Sequence, residues 1–216
     1  MPAVFGYGML KNGRRQVKDT ILIDLDGVLR HWVGSEISDA ESALGLARGT
    51  LLSWAFSHEL LLPAITGKVT HEQWHGRVKS KLAQIHNDNV ASKLIKAWND
   101  ATWEIDFNML QGLKQLAPAC QYVLVTNATS RLDADLKEAG LTSAFNVVVN
   151  SSKIGVAKPD QLFFRKALSV AGSEACGSVF IDDNLDNVNA ARSMGIDSIR
   201  HQNVVDTLEF IQRQCT

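Results

Sequence analysis

Hydrophobic and polar positions divide the chain into two kinds of segment. Short, β-branched apolar runs that lead into polar residues recur at Thr20–Leu25 (TILIDL), Tyr122–Asn127 (YVLVTN), Asn146–Asn150 (NVVVN), Ser178–Asp183 (SVFIDD) and, more weakly, Asp197–Arg200 (DSIR). Runs of this length without polar alternation are the pattern of strands buried on both faces. Between them lie helical patterns over Arg131–Ala139, Gln161–Ala171 and Asn187–Met194, followed by Gly140, Gly172 and Gly195. Glycine stops a helix there because it takes the left-handed conformation without steric cost. Strands alternating with helices predict an α/β fold with a doubly wound parallel sheet over residues 19–30 and 105–216.

Residues 31–104 break that rhythm. No strand is predicted within them, and helical stripes replace the apolar runs. Thr70 opens a T-x-x-Q capping pattern with Gln73, after which Trp74, Val78, Leu82 and Ile85 fall on one helical face. Val90, Leu94, Trp98 and Ala101 make a second stripe. The segment predicts a helical bundle inserted into the α/β domain, and residues 1–18 a leader of little periodicity. All five tryptophans (Trp32, Trp54, Trp74, Trp98 and Trp103) lie in the insertion. Trp74 and Trp98 sit on the apolar stripes, where core packing accounts for them better than a ligand pocket.

The length agrees with this division. At roughly 150 residues per domain the chain amounts to about 1.4 domains, and the surplus is the insertion. Hydrophobic residues at 45% and charged residues at 21% support a buried core and exclude disorder as the main state. Twenty-two basic against twenty-three acidic side chains leave a net charge of −1, with no footprint for nucleic acid or an anionic membrane. No run approaches the ~20 apolar residues of a membrane span. The apolar stretch Ile21–Ile23 after Arg14–Arg15 is too short for a secretion signal. Cys120, Cys176 and Cys215 are odd in number and widely spaced, which predicts reduced thiols rather than a disulfide framework or a zinc cluster. The expectation is a cytoplasmic monomer or homodimer that binds neither nucleic acid nor membrane.

Four polar clusters sit at predicted strand ends or in the loops beyond, where open α/β sheets bind ligands. They are Asp24–Val28 (DLDGV), Thr126–Asn127, Lys158–Pro159 and Asp182–Asp183. Their core is four carboxylates, one lysine and one hydroxyl. Converging carboxylates repel unless a cation neutralises them, and a hard, oxygen-seeking ion such as Mg²⁺ is the natural one. Lysine and threonine suit a phosphate, so the chemistry predicted is phosphoryl transfer. If the strand continues through DLD, Asp24 and Asp26 point to the same side, one as nucleophile and one as acid/base. Gly27 permits a sharp exit from the strand.

The series D-x-D-G-V, T-N, K-P and D-D, in that order, resembles the four motifs of the haloacid dehalogenase (HAD) superfamily. The resemblance spans about residues 19–200, with the insertion where that superfamily carries an α-helical cap, and implies a Rossmann-like core. It implies that Asp24 is the nucleophile, forming an aspartyl-phosphate, and that Asp26 protonates the leaving oxygen and then activates water. Thr126 and the Asn127 backbone would hold phosphate oxygens, and Lys158 would steady the nucleophile and the phosphate charge. Mg²⁺ would be bound by the Asp24 carboxylate, the Asp26 carbonyl and Asp183, with Asp182 acting through a water; exchange of roles between the two adjacent acids stays open. Asp26 is absent from the dehalogenases that name the superfamily, so its presence favours a phosphatase acting on a small phosphorylated metabolite. A phosphomutase or 2-haloacid dehalogenase on the same scaffold and an inert HAD-like binding protein are the alternatives.

Two further features compete for attention. His71–His75 (HEQWH) matches the H-E-x-x-H zinc pattern, but Val78 and Lys81 stand where the extended form needs a glycine and a third histidine. Solvated or cap-edge histidines at a helix start, with Glu72 favouring that end, are the expectation there. Arg30, His31 and Trp32 follow the nucleophile loop directly and are candidates for substrate contact.

Overall fold

A computed structural model describes residues 18–215, so the expected leader lies outside the described residues except for Lys18. The strands are β1 (Thr20–Ile23), β2 (Arg30–Trp32), β3 (Trp103–Ile105), β4 (Gln121–Thr126), β5 (Val147–Asn150), β6 (Ser178–Asp182) and β7 (Asp197–Arg200). Five of them form one sheet in the order β5-β4-β1-β6-β7, parallel throughout. The helices are α1 (Glu36–Ala43), α2 (Thr50–Ala55), α3 (His58–Ile65), α4 (His71–Ile85), α5 (Asp88–Asn99), α6 (Phe107–Leu116), α7 (Leu132–Glu138), α8 (Ser151–Ile154), α9 (Gln161–Ala171), α10 (Leu185–Ser193) and α11 (Val204–Cys215).

Alternation along each strand explains why the runs are apolar at every position. Ile21, Ile23, Leu124, Val179 and Ile181 face one layer, with Met109 and Leu113 of α6 and Ile211 of α11. Leu22, Val123, Val125 and Phe180 face the other, with Phe163, Phe164 and Ala167 of α9. Both faces are covered, so no position can be polar without losing roughly 1.5–3 kcal/mol of side-chain burial. Helix α9 starts at an Asp160 side-chain cap and stops at Gly172, as its sequence pattern predicts.

Helices α1–α5 lie between β2 and β3 and gather around their own cluster of Leu51, Trp74, Val78, Leu82, Ala91 and Leu94. The Thr70–Gln73 capping box is formed in full. The buried Glu41 carboxylate accepts from the amides of Gly49 at 2.7 Å and Leu51 at 2.8 Å, tying α1 to the start of α2. Trp74 is buried and its Nε1 donates to the Ala55 carbonyl at 3.1 Å, which satisfies its polar edge.

Two expectations need correction here. Ile85 is not on the buried face: it is 45% exposed at the end of α4, where the helix runs past the packing surface. The region also holds strands at its margins, because β2 and β3 pair antiparallel with His31 opposite Glu104. Each is three residues long. Their pairing joins positions about seventy residues apart without a turn signal, so no local pattern announces it.

Candidate active site

Parallel register brings the polar strand ends together. Ile23 lies opposite Leu124 of β4 and Ile181 of β6, so Asp24, Val125 and Asp182 follow side by side. The Asp24 amide donates to the Ile181 carbonyl at 3.0 Å, which extends the ladder one residue past β1. Lys158, from the segment between α8 and α9, projects its Nζ between the acids, 2.9 Å from Asp24 Oδ1 and 2.6 Å from Asp182 Oδ2. That Nζ also donates to the Val125 carbonyl at 2.9 Å. All three residues are buried, Asp182 completely.

Burial sets the charges of this group. It pushes the Asp24 carboxyl up to about 7; the Lys158 ammonium opposes the rise, and the Asp182 carboxylate adds to it. Burial alone would depress Lys158, but Asp24 and Asp182 override it and hold the ammonium above its ordinary range. Asp182 is fully engaged, its Oδ1 accepting from the Asn184 amide at 2.8 Å and from Asn187 Nδ2 at 3.0 Å. Asp24 Oδ1 is different. It is buried, and the Lys158 ammonium at 2.9 Å is its one close polar neighbour among the described residues.

Asp183 completes the cluster from the exposed side. One carboxylate oxygen each of Asp24, Asp182 and Asp183 lie within 4.8 Å of one another. Burial and then the Asp182 charge raise the Asp183 carboxyl above its usual range. Gly27 has φ of 80°, and a Cβ there would collide with the Asp183 carboxylate, so glycine is required for both conformation and space.

Asp26 departs from the expected arrangement. Strand β1 ends at Ile23, so strand alternation does not carry through to Asp26. Its carboxylate turns outward into a two-pronged pair with Arg30, Nε–Oδ1 at 2.7 Å and Nη2–Oδ2 at 2.8 Å. Trp32 Nε1 donates to the same Oδ1 at 3.2 Å. Arg30, expected at the substrate entrance, is instead 7% exposed; its Nη1 reaches Asp135 of α7 at 3.3 Å, and Trp32 and Trp103 lie within cation–π range. Trp32 itself is 53% exposed. His31 lies on β2 between them, partly exposed.

Thr126 is buried at the end of β4, and the Asn127 side chain clamps the Lys158 backbone, accepting from its amide at 2.8 Å and donating to its carbonyl at 2.9 Å. A profile of the family described as "Hydrolase: haloacid dehalogenase-like hydrolase" matches residues 18–195. The chain belongs to the haloacid dehalogenase-like hydrolase family. It is thus an enzyme of a hydrolase family, on the α/β core just described. A drimenol cyclase from Aspergillus calidoustus is 29% identical over 199 residues, covering 91% of this chain, and the chain spans only 35% of that protein. The haloacid dehalogenase-like hydrolase domain-containing protein 3 of Bos taurus is 28% identical over 204 residues, covering 84% of this chain and 78% of the relative.

Solved structures share the fold. A predicted HAD-like family hydrolase from Porphyromonas gingivalis has a TM-score of 0.69 at 21% identity, covering 92% of this chain and 98% of its own. An HAD family enzyme from Bacteroides thetaiotaomicron, in complex with magnesium and inorganic phosphate, has a TM-score of 0.66 at 21% identity, covering 84% and 93%.

Within this HAD-like hydrolase, the residues that support the site carry the weakest sequence signals. Asn187 holds Asp182, and its signal was a polar residue on a helix face otherwise occupied by Val188 and Ala191. Asn150 Nδ2 donates to the Thr129 carbonyl at 2.9 Å and Ser151 Oγ accepts from the Ala128 amide at 3.1 Å, shaping the loop after β4. Against that loop sits the start of α4: the His71 amide donates to Ser130 Oγ at 3.0 Å, and His71 Nδ1 lies 3.1 Å from Thr129 Oγ1. Of the two settings expected, the cap edge holds for His71, the first residue of α4, while neither histidine is fully solvated. His75 stacks on Trp98 at 4.0 Å between ring centroids, and its neighbour His71 is 4.2 Å away. No third metal ligand joins them among the described residues.

Proposed function

We propose that the protein is a Mg²⁺-dependent phosphatase that hydrolyses a small phosphorylated metabolite through an aspartyl-phosphate on Asp24. The observation that carries this reading is the buried Asp24 carboxylate, with Oδ1 held by the Lys158 ammonium and Asp183 close by on the exposed side. A divalent cation fits the donors: of the three converging carboxylates, Asp24 and Asp183 keep oxygens open to an ion, and Asp183 is exposed. Asp24, Asp183 and the Asp26 carbonyl would hold Mg²⁺, which supplies charge neutralisation of the phosphate and the acids. Asp182, already occupied by Lys158, Asn184 and Asn187, orients Lys158 and stands outside that set.

The remaining residues follow from their positions. Asp24 Oδ attacks phosphorus while the Lys158 ammonium keeps the nucleophile in place and offsets charge on the phosphoryl oxygens. The Thr126 hydroxyl and the Asn127 amide bind those oxygens, and the Asn127 side chain sets the height of Lys158. Asp26 gives a proton to the leaving oxygen and later takes one from the attacking water. Its outward side chain, with Trp32 on one oxygen, lies on the side from which a leaving group would enter. His31 and Trp32 contact that group, whereas Arg30 acts through Asp26. Helices α1–α5, within residues 31–104, serve as a cap over the core of residues 19–30 and 105–216, and exclude water during transfer. The magnesium and phosphate bound by the Bacteroides enzyme support the same ligand class here.

The decisive experiment is a panel of phosphorylated sugars, nucleotides and organic acids with Mg²⁺, read as released phosphate. Turnover of at least one, abolished in Asp24→Asn, is expected. Undiminished turnover in that variant would remove Asp24 as nucleophile, and chloride release from a 2-haloacid would favour a dehalogenase instead.

A further inference from the structure

The opposite edge of the sheet carries a pair of thiols that the phosphatase chemistry does not use. Cys120 precedes β4, whose first residue, Gln121, pairs with Thr20 at the start of β1. Cys215 ends α11, some ninety residues further along the chain. One residue ties the two together. The Lys18 carbonyl accepts from Cys120 Sγ at 3.4 Å, and the Lys18 amide donates to the carbonyl of Gln214, next to Cys215, at 3.2 Å. Both cysteines are half-buried and pack against the same apolar layer. Their thiols lie within hydrogen-bonding reach of each other.

We propose that Cys120 and Cys215 are a dithiol site that closes reversibly to an intramolecular disulfide when the protein meets a small-molecule disulfide such as glutathione disulfide. The site sits at the N-terminal ends of the strands, away from Asp24, so it is independent of the phosphatase reading. Cys120 is the attacking sulfur: it opens onto a surface groove with Lys114, Pro118 and Ser143, which gives the reagent access. The hydrogen bond from Cys215 draws the Cys120 thiol below its ordinary range, while the same bond and burial push Cys215 up.

The exchange balances in two steps. The Cys120 thiolate attacks one sulfur of the reagent, a mixed disulfide forms, and one small thiol leaves after taking a proton. Cys215 then loses its proton to solvent and attacks the Cys120 sulfur, expelling the second small thiol. Two protein thiols are oxidised and one small disulfide is reduced to two thiols. The product links the last turn of α11 to the start of β4 and so anchors the C-terminal helix covalently. Cys176 is exposed on the turn before β6, where its carbonyl accepts from Lys18 Nζ at 2.6 Å, and it serves as an internal control.

The test is incubation of the reduced full chain with glutathione disulfide, followed by non-reducing digestion and mass spectrometry. A linked Cys120–Cys215 peptide is expected, with Cys176 either free or carrying glutathione. The Tm should rise by on the order of 5 °C or more over the reduced protein and return on reduction. In Cys215→Ser the reaction should stop at a glutathione adduct on Cys120, with no rise in Tm. Separate adducts on Cys120 and Cys215 without the link, a link to Cys176, or an unreactive Cys120 would each overturn the proposal.

Discussion

Replacing Asp24 with Asn tests the electrostatics of the site without touching its shape. In the folded protein the Asp24 carboxyl is raised from 3.8 to about 7, chiefly by burial. The folded state therefore holds a proton that the unfolded chain releases, so this group's contribution to stability is complete below pH ~3.8 and is lost as pH rises through ~7. At 1.36 kcal/mol per unit, a rise of about three units amounts to roughly 4 kcal/mol lost across that window. Lys158 keeps Asp182 at 2.6 Å in the variant, so its ammonium is not left alone. Metal-free Asp24→Asn should thus be inactive, and at pH 8 more stable than wild type by about 1–3 kcal/mol once the weakened Lys158 contact is allowed for. The assay is urea unfolding of both proteins in EDTA from pH 4 to pH 8. The difference between them should grow with pH, and Mg²⁺ should stabilise wild type at pH 8 far more than the variant. Parallel pH dependences for the two proteins would refute the reasoning.

Three further outcomes follow from the same geometry. Lys158→Met leaves two buried carboxylates without their cation, at a cost of about 3–5 kcal/mol; differential scanning calorimetry should show a Tm lower by on the order of 10 °C, partly restored by Mg²⁺. Arg30→Met releases Asp26 from its two-pronged pair, so kcat should fall at least tenfold and the pH–rate profile should move; Arg30→Lys should not restore it, because an ammonium cannot grip both oxygens. His75 is depressed from 6.5 to about 4, first by burial and then by the His71 and Arg131 charges. Its neutral form is the folded one, so stability should fall by about 1–2 kcal/mol as pH drops from 6.5 towards 4, after discounting for partial exposure. His75→Phe, which keeps the stack on Trp98, should flatten that slope in pH-dependent unfolding.

The sheet and the ends of its strands were legible because both are written in short windows. Apolar runs bounded by polar residues place β1, β4, β5 and β6 within a residue or two, and glycine places the ends of helices such as α9. The order of Asp24, Thr126, Lys158 and Asp182 along the chain was enough to point to the family and to bring these residues together, because a parallel sheet sends all of its strand ends to one edge. Lys158 between two buried acids is the physical form of that expectation.

What stayed hidden depends on contacts between distant segments. The pairing of β2 with β3 closes across the whole insertion, and nothing near Trp103 signals a partner at Trp32. Arg30 reads as an open cation beside the loop that follows Asp24, yet Asp26 and Asp135 take its guanidinium, since burying it without acids would be costly. His71 and His75 carry helical spacing suited to a metal, and packing against Trp98 and Thr129 gives them a different setting. Local pattern and motif order therefore determined the fold class and the family, and which polar residues gather at one end of the sheet. Which acids are free, which are already paired and which cysteines meet was decided by side chains converging from elements far apart in the chain, where a charge or a thiol takes its properties from burial and neighbours rather than from its own sequence context.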